Sequence, residues 1–127
     1  MFLNMSKAIR GEICSVNFDP TVGAEISKIR PAVLINPSSI GRLPLVIVVP
    51  ITDWKSNYQN YVWFTFLEPT LENGLTKPSG ADAFQIKSFS EIRLMQKVGR
   101  ITVSQLESVS TSVALCVGYQ LPQIRKF

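Results

Sequence analysis

The side chains available for chemistry in this chain of 127 residues exclude several common mechanisms. The sequence contains no histidine, and its two cysteines are Cys14 and Cys116. A Cys–His or Ser–His nucleophile pair is therefore excluded, as is a metal site with histidine ligands. Two cysteines alone cannot complete a structural zinc site, which takes four ligands. Catalysis must depend on carboxylates, arginine, lysine, hydroxyl groups or the backbone, and no metal or cofactor is expected.

The composition predicts one basic domain spanning residues 1–127. The formal net charge is +4, 46% of the residues are hydrophobic and 17% are charged. That balance excludes a disordered chain, and the excess of basic residues favours polyanionic partners such as nucleic acid. The most apolar stretch, residues 43–51, is too short to span a bilayer, and the N-terminus lacks the apolar core of a signal peptide. The sequence therefore predicts a cytoplasmic protein with no membrane partner and with reduced cysteines.

Short strands are expected to position the reactive side chains. Cys14, Val16 and Phe18 alternate at period two, and their strand should end before Asp19-Pro20. Residues 21–28 show no useful period and are interpreted as a loop, as are residues 53–60. Runs rich in β-branched and aromatic residues predict further strands at 31–35, 45–51, 61–67, 84–89 and 97–101. Asn73-Gly74 and residues 77–80 are interpreted as breaks between strands.

The C-terminal part of the chain changes to a helical period. Thr102 precedes Gln105 by three residues, which is the pattern of a capping box, and Ile101 can contact Leu106 across the cap. An apolar helix stripe is formed by Leu106, Val109, Val113 and Val117. Gly118 should stop the helix, and residues 119–127 are interpreted as a tail. The fold class is therefore mainly β with a C-terminal helix, and a small antiparallel barrel is expected.

Several segments resemble, in order, the sequence pattern of MazF/PemK toxins. Residues 10–13 resemble the family's R-G-E/D-I/V-W strand, and residues 19–25 resemble its D-P-x-x-G-x-E loop. Residues 30–33 are similar to R-P-A/V-V/L, and Pro50-Ile51-Thr52 is similar to P-L/I/V-T. Residues 85–88 and 98–101 resemble the segments Q-I/V-R/K-S/T and I/L-G-R/K/T-L/I/V. Because the motifs keep the family's order over residues 8–118, the resemblance is specific.

This resemblance implies the toxin of a type II toxin–antitoxin system. Members of the family have an SH3-like barrel fold related to that of the gyrase poison CcdB, and they form homodimers. They cut single-stranded RNA at short sequences without a metal ion. A cognate antitoxin inhibits them by laying a disordered tail across the dimer, and we expect that tail to be acidic.

Two positions depart from the family pattern. Cys14 stands where the first strand usually carries tryptophan, and Phe84 stands where many relatives have aspartate before the glutamine. In the Kid-like branch that aspartate is a proposed acid or base. Asp82 lies two residues before Phe84, so on a continuous strand it would share the face of Phe84. Whether Asp82 substitutes for the missing carboxylate is left open by the sequence.

The resemblance assigns the catalytic pair to Arg30 and Thr52. Cleavage by the 2′-hydroxyl needs a proton acceptor, charge stabilisation at the phosphoryl oxygens and a proton for the leaving 5′-oxygen, and a guanidinium can bind a phosphate bidentately. The Thr52 hydroxyl can donate to the same phosphoryl oxygen, and Glu25 is the loop carboxylate that could act as a base. All three residues also have an ordinary explanation. Arg30 can be a solvated residue at a strand edge, Thr52 a good strand former and Glu25 a solvated residue of a surface loop.

Further residues are candidates for RNA contact. Trp54 and Tyr58 lie in a polar loop and could stack on bases, although aromatic residues in this region could equally belong to the core. Asp19 could contact RNA but is better suited to pinning its own loop through backbone N–H groups. Gln85 belongs to a segment that matches the family. A phosphate track could include Lys28, Lys55, Lys77 and Lys87, although scattered surface lysines are common.

Two other functions fit a small basic barrel. One is a non-enzymatic toxin that binds DNA gyrase, and the other is a plain RNA-binding module. The positions of Arg30 and Thr52 argue against the first, because the gyrase-binding class is recognised by the end of its C-terminal helix. Endoribonuclease activity is the leading hypothesis, and the sequence leaves the cleavage site undetermined.

Overall fold

A computed structural model describes residues 7–120. It contains seven strands and a C-terminal helix, α1, Val103–Cys116. The strands are β1 Glu12–Asn17, β2 Ile29–Leu34, β3 Leu45–Asp53, β4 Phe64–Leu67, β5 Ser79–Asp82, β6 Lys87–Ser90 and β7 Leu94–Arg100. Three short 3-10 turns lie at Ser56–Asn60, Ala83–Gln85 and Glu91–Arg93. A mainly β chain with a C-terminal helix was predicted, and this class is confirmed. The tail was predicted for residues 119–127, and its residues 121–127 lie outside the described part of the chain.

All strand pairings within the described residues are antiparallel, and the sheet order is β4-β5-β3-β2-β1-β7 with β6 on β3. β3 is long enough to change partners along its length. Its first residues pair with β6, its middle residues with β2 and its last three with β5. Through this exchange of partners, β3 joins the β4-β5 hairpin to the sheet formed by β2, β1, β7 and β6.

The β1–β3 sheet is buried on both faces. One face contributes Ile13, Val33 and Val49 to a core that also contains Leu67 and Val109 from β4 and α1. The other face belongs to a second core, formed by Cys14, Val16, Phe18, Ile26, Ala32, Leu34, Val46, Val48 and Leu94. Burial on both faces explains why β2 and β3 are continuous apolar runs rather than alternating ones.

The start of α1 follows the prediction. The Thr102 hydroxyl accepts the Gln105 N–H at 3.0 Å, and the Gln105 side chain accepts the Thr102 N–H at 2.9 Å. Leu106, Val109 and Val113 face the core as expected, but Val117 is 74% exposed. The helix ends at Cys116 and Gly118 adopts a φ of +76°, so the chain turns away before Val117 can pack. No helix within residues 7–120 is long and apolar enough to cross a membrane.

Three strand predictions need correction. The strand expected at 61–67 begins only at Phe64, because the Phe64 N–H donates to the Tyr61 carbonyl and closes a turn. The strand expected at 84–89 is reduced to β6, since Ala83–Gln85 form a 3-10 turn. Residues 79–82, taken as part of a break, form β5. Gly80 is suited to this strand because a Cβ there would lie 2.9 Å from the Trp54 ring.

Candidate active site

Arg30 and Thr52 lie at the same end of the β2–β3 pair. The last paired residues of this ladder are Ala32 and Pro50. Arg30 and Thr52 are each two residues beyond that pair, so both share its face of the sheet. Here the strands separate, because Arg30 pairs with β1 and Thr52 pairs with Gly80 of β5. The fold thus brings two side chains that are 22 positions apart in the sequence to the same end of the β2–β3 pair, where the two strands separate.

The polar groups of both side chains are available to a ligand. Arg30 is half-buried, and its Nε donates to the Ser27 carbonyl at 3.2 Å. That bond fixes the direction of the guanidinium while its terminal nitrogens have no hydrogen-bond acceptor within residues 7–120. The Thr52 hydroxyl is likewise without a partner in the described part of the chain. Four N–H donors and a hydroxyl on the same face of the sheet, at the same end of the β2–β3 pair, suit the oxygens of a phosphodiester.

The loop after β1 is closed at its neck by Asp19 and Arg93. The Asp19 carboxylate accepts the Lys28 N–H at 3.0 Å, which matches the pinning role expected for it. Lys28 itself has a φ of +67° and an exposed side chain. The Arg93 guanidinium donates to the carbonyls of Asn17 and Asp19 at 3.1 and 2.7 Å. Sequence reasoning missed Arg93, since nothing local marks an arginine that reaches a loop more than seventy residues away.

The far side of the same loop is held by the segment around β6. The Gln85 Oε1 accepts the N–H of buried Ile26 at 2.6 Å, and the Lys87 ammonium lies 3.2 Å from the Glu25 carboxylate. Glu25 also accepts the Val22 N–H at 2.7 Å. Gln85 and Lys87 were predicted to contact RNA. In the structure their polar groups are already used to anchor the loop that leads to Arg30.

These contacts make Glu25 a weak base. The backbone hydrogen bond from Val22, followed by the hydrogen bond and charge of Lys87, lowers the pKa of Glu25 below its usual value. A carboxylate with a lowered pKa accepts a proton less readily. Its two oxygens are also both engaged, with Val22 and Lys87. The arrangement therefore favours a loop-holding role for Glu25 over the base role considered from the sequence.

Asp82 does not share a strand face with Phe84, contrary to the expectation for a continuous strand. β5 ends at Asp82, whose carboxylate accepts the Phe84 N–H at 3.1 Å and lies 3.4 Å from Gln85 Nε2. Phe84 is 71% exposed on the following turn, whereas Asp82 is 7% exposed. Burial raises the pKa of Asp82. Asp82 therefore caps the turn and orients the amide of Gln85, which in turn holds the loop.

An aromatic surface adjoins Thr52. Trp54 contacts Tyr58, Phe64 and Phe66 at ring-centroid distances of 5.7, 6.3 and 5.0 Å. Tyr58 stacks on Phe64 at 3.9 Å with the ring planes 9° apart. Lys55, between Trp54 and Tyr58 in the sequence, is exposed, whereas Lys77 pairs with Asp53 at 3.4 Å. Trp54 and Tyr58 are thus neither core residues nor isolated rings in a mobile loop.

Other motif residues have structural roles. Arg10 donates to the Ile35 carbonyl and to the Ser110 hydroxyl, so it joins the end of β2 to α1. Gly99 packs against the 72–74 turn, where a Cβ would lie 2.4 Å from the Glu72 carbonyl oxygen. Cys14 is fully buried, and desolvation raises its pKa to about 11, so its thiol is disfavoured as a nucleophile. Among residues 7–120, no three acidic or cysteine side chains are placed to hold a metal ion.

Comparison with known proteins identifies the family. The sequence model of the PemK-like, MazF-like toxins of type II toxin–antitoxin systems matches residues 9–117. The chain belongs to this toxin family. Among curated MazF relatives, Endoribonuclease MazF9 of Mycobacterium tuberculosis (strain ATCC 25618 / H37Rv) is 32% identical over 113 residues, which cover 84% of this chain and 92% of that protein. The resemblance to MazF/PemK toxins in the motifs is therefore confirmed.

Solved structures show the MazF-like fold. The crystal structure of MazF from Deinococcus radiodurans aligns with a TM-score of 0.72 and 21% identity, over 87% of this chain and 96% of that chain. An endoribonuclease in complex with its cognate antitoxin, from a mycobacterial species, aligns with a TM-score of 0.71 and 15% identity, over 91% and 100% of the two chains. The barrel expected from the MazF resemblance, of the CcdB/MazF type, is confirmed.

Proposed function

We propose that this toxin is a metal-independent endoribonuclease that cleaves single-stranded mRNA at short sequences. The observation that carries the proposal is the placement of Arg30 and Thr52 beyond the last β2–β3 pair, with the terminal guanidinium nitrogens and the hydroxyl directed to no protein acceptor among the described residues. A curated relative at 32% identity is named an endoribonuclease, which supports the same reaction.

The reaction follows from the chemistry of a phosphodiester next to a 2′-hydroxyl. The 2′-oxygen loses its proton and bonds to phosphorus, the bond from phosphorus to the 5′-oxygen breaks, and the 5′-oxygen takes up a proton, so the reaction consumes no net proton. The products are a 2′,3′-cyclic phosphate and a free 5′-hydroxyl. Because phosphoryl transfer depends on positioning and on charge stabilisation, the Arg30 guanidinium and the Thr52 hydroxyl have the main catalytic roles. Glu25 keeps the loop in place beside Arg30.

We also propose that the active form is a homodimer controlled by an acidic antitoxin segment in the cytoplasm. Exposed large apolar side chains, including Ile40, Leu43 and Val62 at 60–71% exposure, give surfaces that a second copy could cover. A segment rich in carboxylates would place negative charge where RNA phosphates lie, so Arg30 would contact both ligands. A solved neighbour is described as an endoribonuclease in complex with its cognate antitoxin, which supports this form of control.

The test is incubation of the purified protein with a long single-stranded RNA in EDTA. We expect discrete fragments whose new 5′ ends carry hydroxyl groups, and sequencing of those ends gives the recognition site. Arg30→Ala should leave the RNA intact, while Gln105→Ala, at the distant helix cap, should cleave at the wild-type rate. RNA binding without cleavage would instead support a binding module, and activity that requires Mg²⁺ would refute the metal-independent mechanism. Inhibition of DNA gyrase without RNA cleavage would support the CcdB-like alternative.

A further inference from the structure

A shallow depression with aromatic walls lies next to Thr52, since its Trp54 and Phe64 rings cover Gly80, the residue that pairs with Thr52. Its volume is about 420 Å³, and it is lined by Trp54, Tyr58, Gln59, Phe64 and Phe66. This volume is within the range of small-ligand pockets, which is about 300–1,000 Å³. Phe66 is 45% exposed, although a ring of this size normally contributes to stability by burial. A concave, exposed aromatic surface is the kind of surface that binds flat ligands.

The rings that wall this depression pack against one another and against the sheet. Tyr58 is held by stacking on Phe64, and Trp54 contacts the edges of Phe64 and Phe66. The backbone N–H of Trp54 donates to the Pro78 carbonyl at 3.0 Å, which fixes the backbone beneath the ring. Gly80 allows Trp54 and Phe64 to lie close to the sheet, since a Cβ there would meet both rings within 3.1 Å. Little side-chain entropy is therefore lost when a ligand stacks here.

The position of the depression relates it to the proposed cleavage site. The Trp54 ring lies over Gly80, where a Cβ would be 2.9 Å from it, and Gly80 is the β5 residue that pairs with Thr52. Phe66 pairs with Gly80, which in turn pairs with Thr52. A nucleotide next to the phosphate held at Thr52 can therefore reach the aromatic walls.

We propose that this depression binds one nucleobase of single-stranded RNA adjacent to the scissile phosphate, an inference that rests on the endoribonuclease activity proposed above. Trp54 and Phe66 supply π faces for stacking, and the Gln59 amide supplies a donor and an acceptor for the edge of the base. The lining contains no carboxylate, and Lys55 flanks it. These features favour a base on a polyanionic strand over an apolar side chain of an acidic protein.

The test uses short RNAs that contain the cleavage site found by sequencing the 5′ ends. One nucleotide at a time on either side of the scissile bond is replaced by an abasic residue. We expect one flanking position at which base removal lowers kcat/KM by roughly 5- to 150-fold, the range for a lost base–aromatic stack. Phe66→Leu keeps an apolar wall but removes a π face, so it should lower kcat/KM on intact RNA and reduce the effect of that abasic position. Phe84→Leu is the matched control, because Phe84 is 71% exposed and lies outside the lining.

The outcomes separate this inference from the proposed function. If wild-type protein cleaves RNA and Phe66→Leu shows the same abasic profile and the same kcat/KM, the nucleobase pocket is refuted while the endoribonuclease stands. If wild-type protein neither cleaves nor binds RNA, both proposals are refuted. If Phe66→Leu retains full cleavage but loses affinity for an inhibitory protein, the depression is a protein-docking surface and the inference is wrong. A change in base preference in Gln59→Leu, with total cleavage retained, would support the edge contact.

Discussion

Replacement of Gln85 by alanine should loosen the loop that precedes Arg30 and thereby impair cleavage. The Gln85 Oε1 accepts the Ile26 N–H at 2.6 Å, and Ile26 is 9% exposed. The variant leaves this buried donor without a partner, at a cost of about 1–3 kcal/mol. That cost shifts the ratio of undocked to docked loop by about 5- to 150-fold. Lys87→Gln should have a smaller effect, because the Lys87–Glu25 ion pair is solvent-exposed and such pairs contribute little.

The assay compares kcat/KM on a short RNA over a range of salt concentrations, together with hydrogen exchange of the Ile26 amide. Gln85→Ala should lower kcat/KM and speed that exchange, with the slope of log kcat/KM against log salt unchanged. Gln105→Ala is the matched control, because its amide also accepts a backbone N–H but lies at the start of α1. If Lys87→Gln has the larger effect and lowers the salt slope by about 0.7, Lys87 binds a phosphate directly and the anchoring argument is wrong.

Three further outcomes are expected. Arg30→Ala and Thr52→Ala should each lower kcat by about 10²–10³-fold with little change in Tm, and near-normal turnover in Arg30→Ala would contradict the assignment. Burial raises the pKa of Asp82, so the folded state binds this proton more tightly than the unfolded chain does. The free energy of unfolding should therefore fall as pH rises through the raised pKa. A pH series of thermal melts should show this dependence, and Asp82→Asn should remove it. In a Cys116→Ala background, Cys14 should react with a thiol reagent only on unfolding, since the side chain is fully buried and burial raises its pKa to about 11.

The sequence alone was sufficient for features that depend on neighbouring residues. The capping box of Thr102 and Gln105 joins residues three positions apart, so its pattern predicts the helix start without knowledge of the fold. The alternation in β1 and the β-branched runs of β2 and β3 predict strands for the same reason. The absence of histidine, a property of composition, already excluded most nucleophilic and zinc chemistry.

The tertiary structure decided what depends on residues distant in the sequence. Gln85 and Lys87 matched a family segment, yet only the fold shows that they hold Ile26 and Glu25, about sixty positions away. Residues 77–80, which include proline and glycine, were interpreted as a break, but two aromatic rings packed above Gly80 require a strand residue without a side chain. Propensities act within a few residues, whereas these contacts depend on which strands pair, and that pairing is a property of the whole chain.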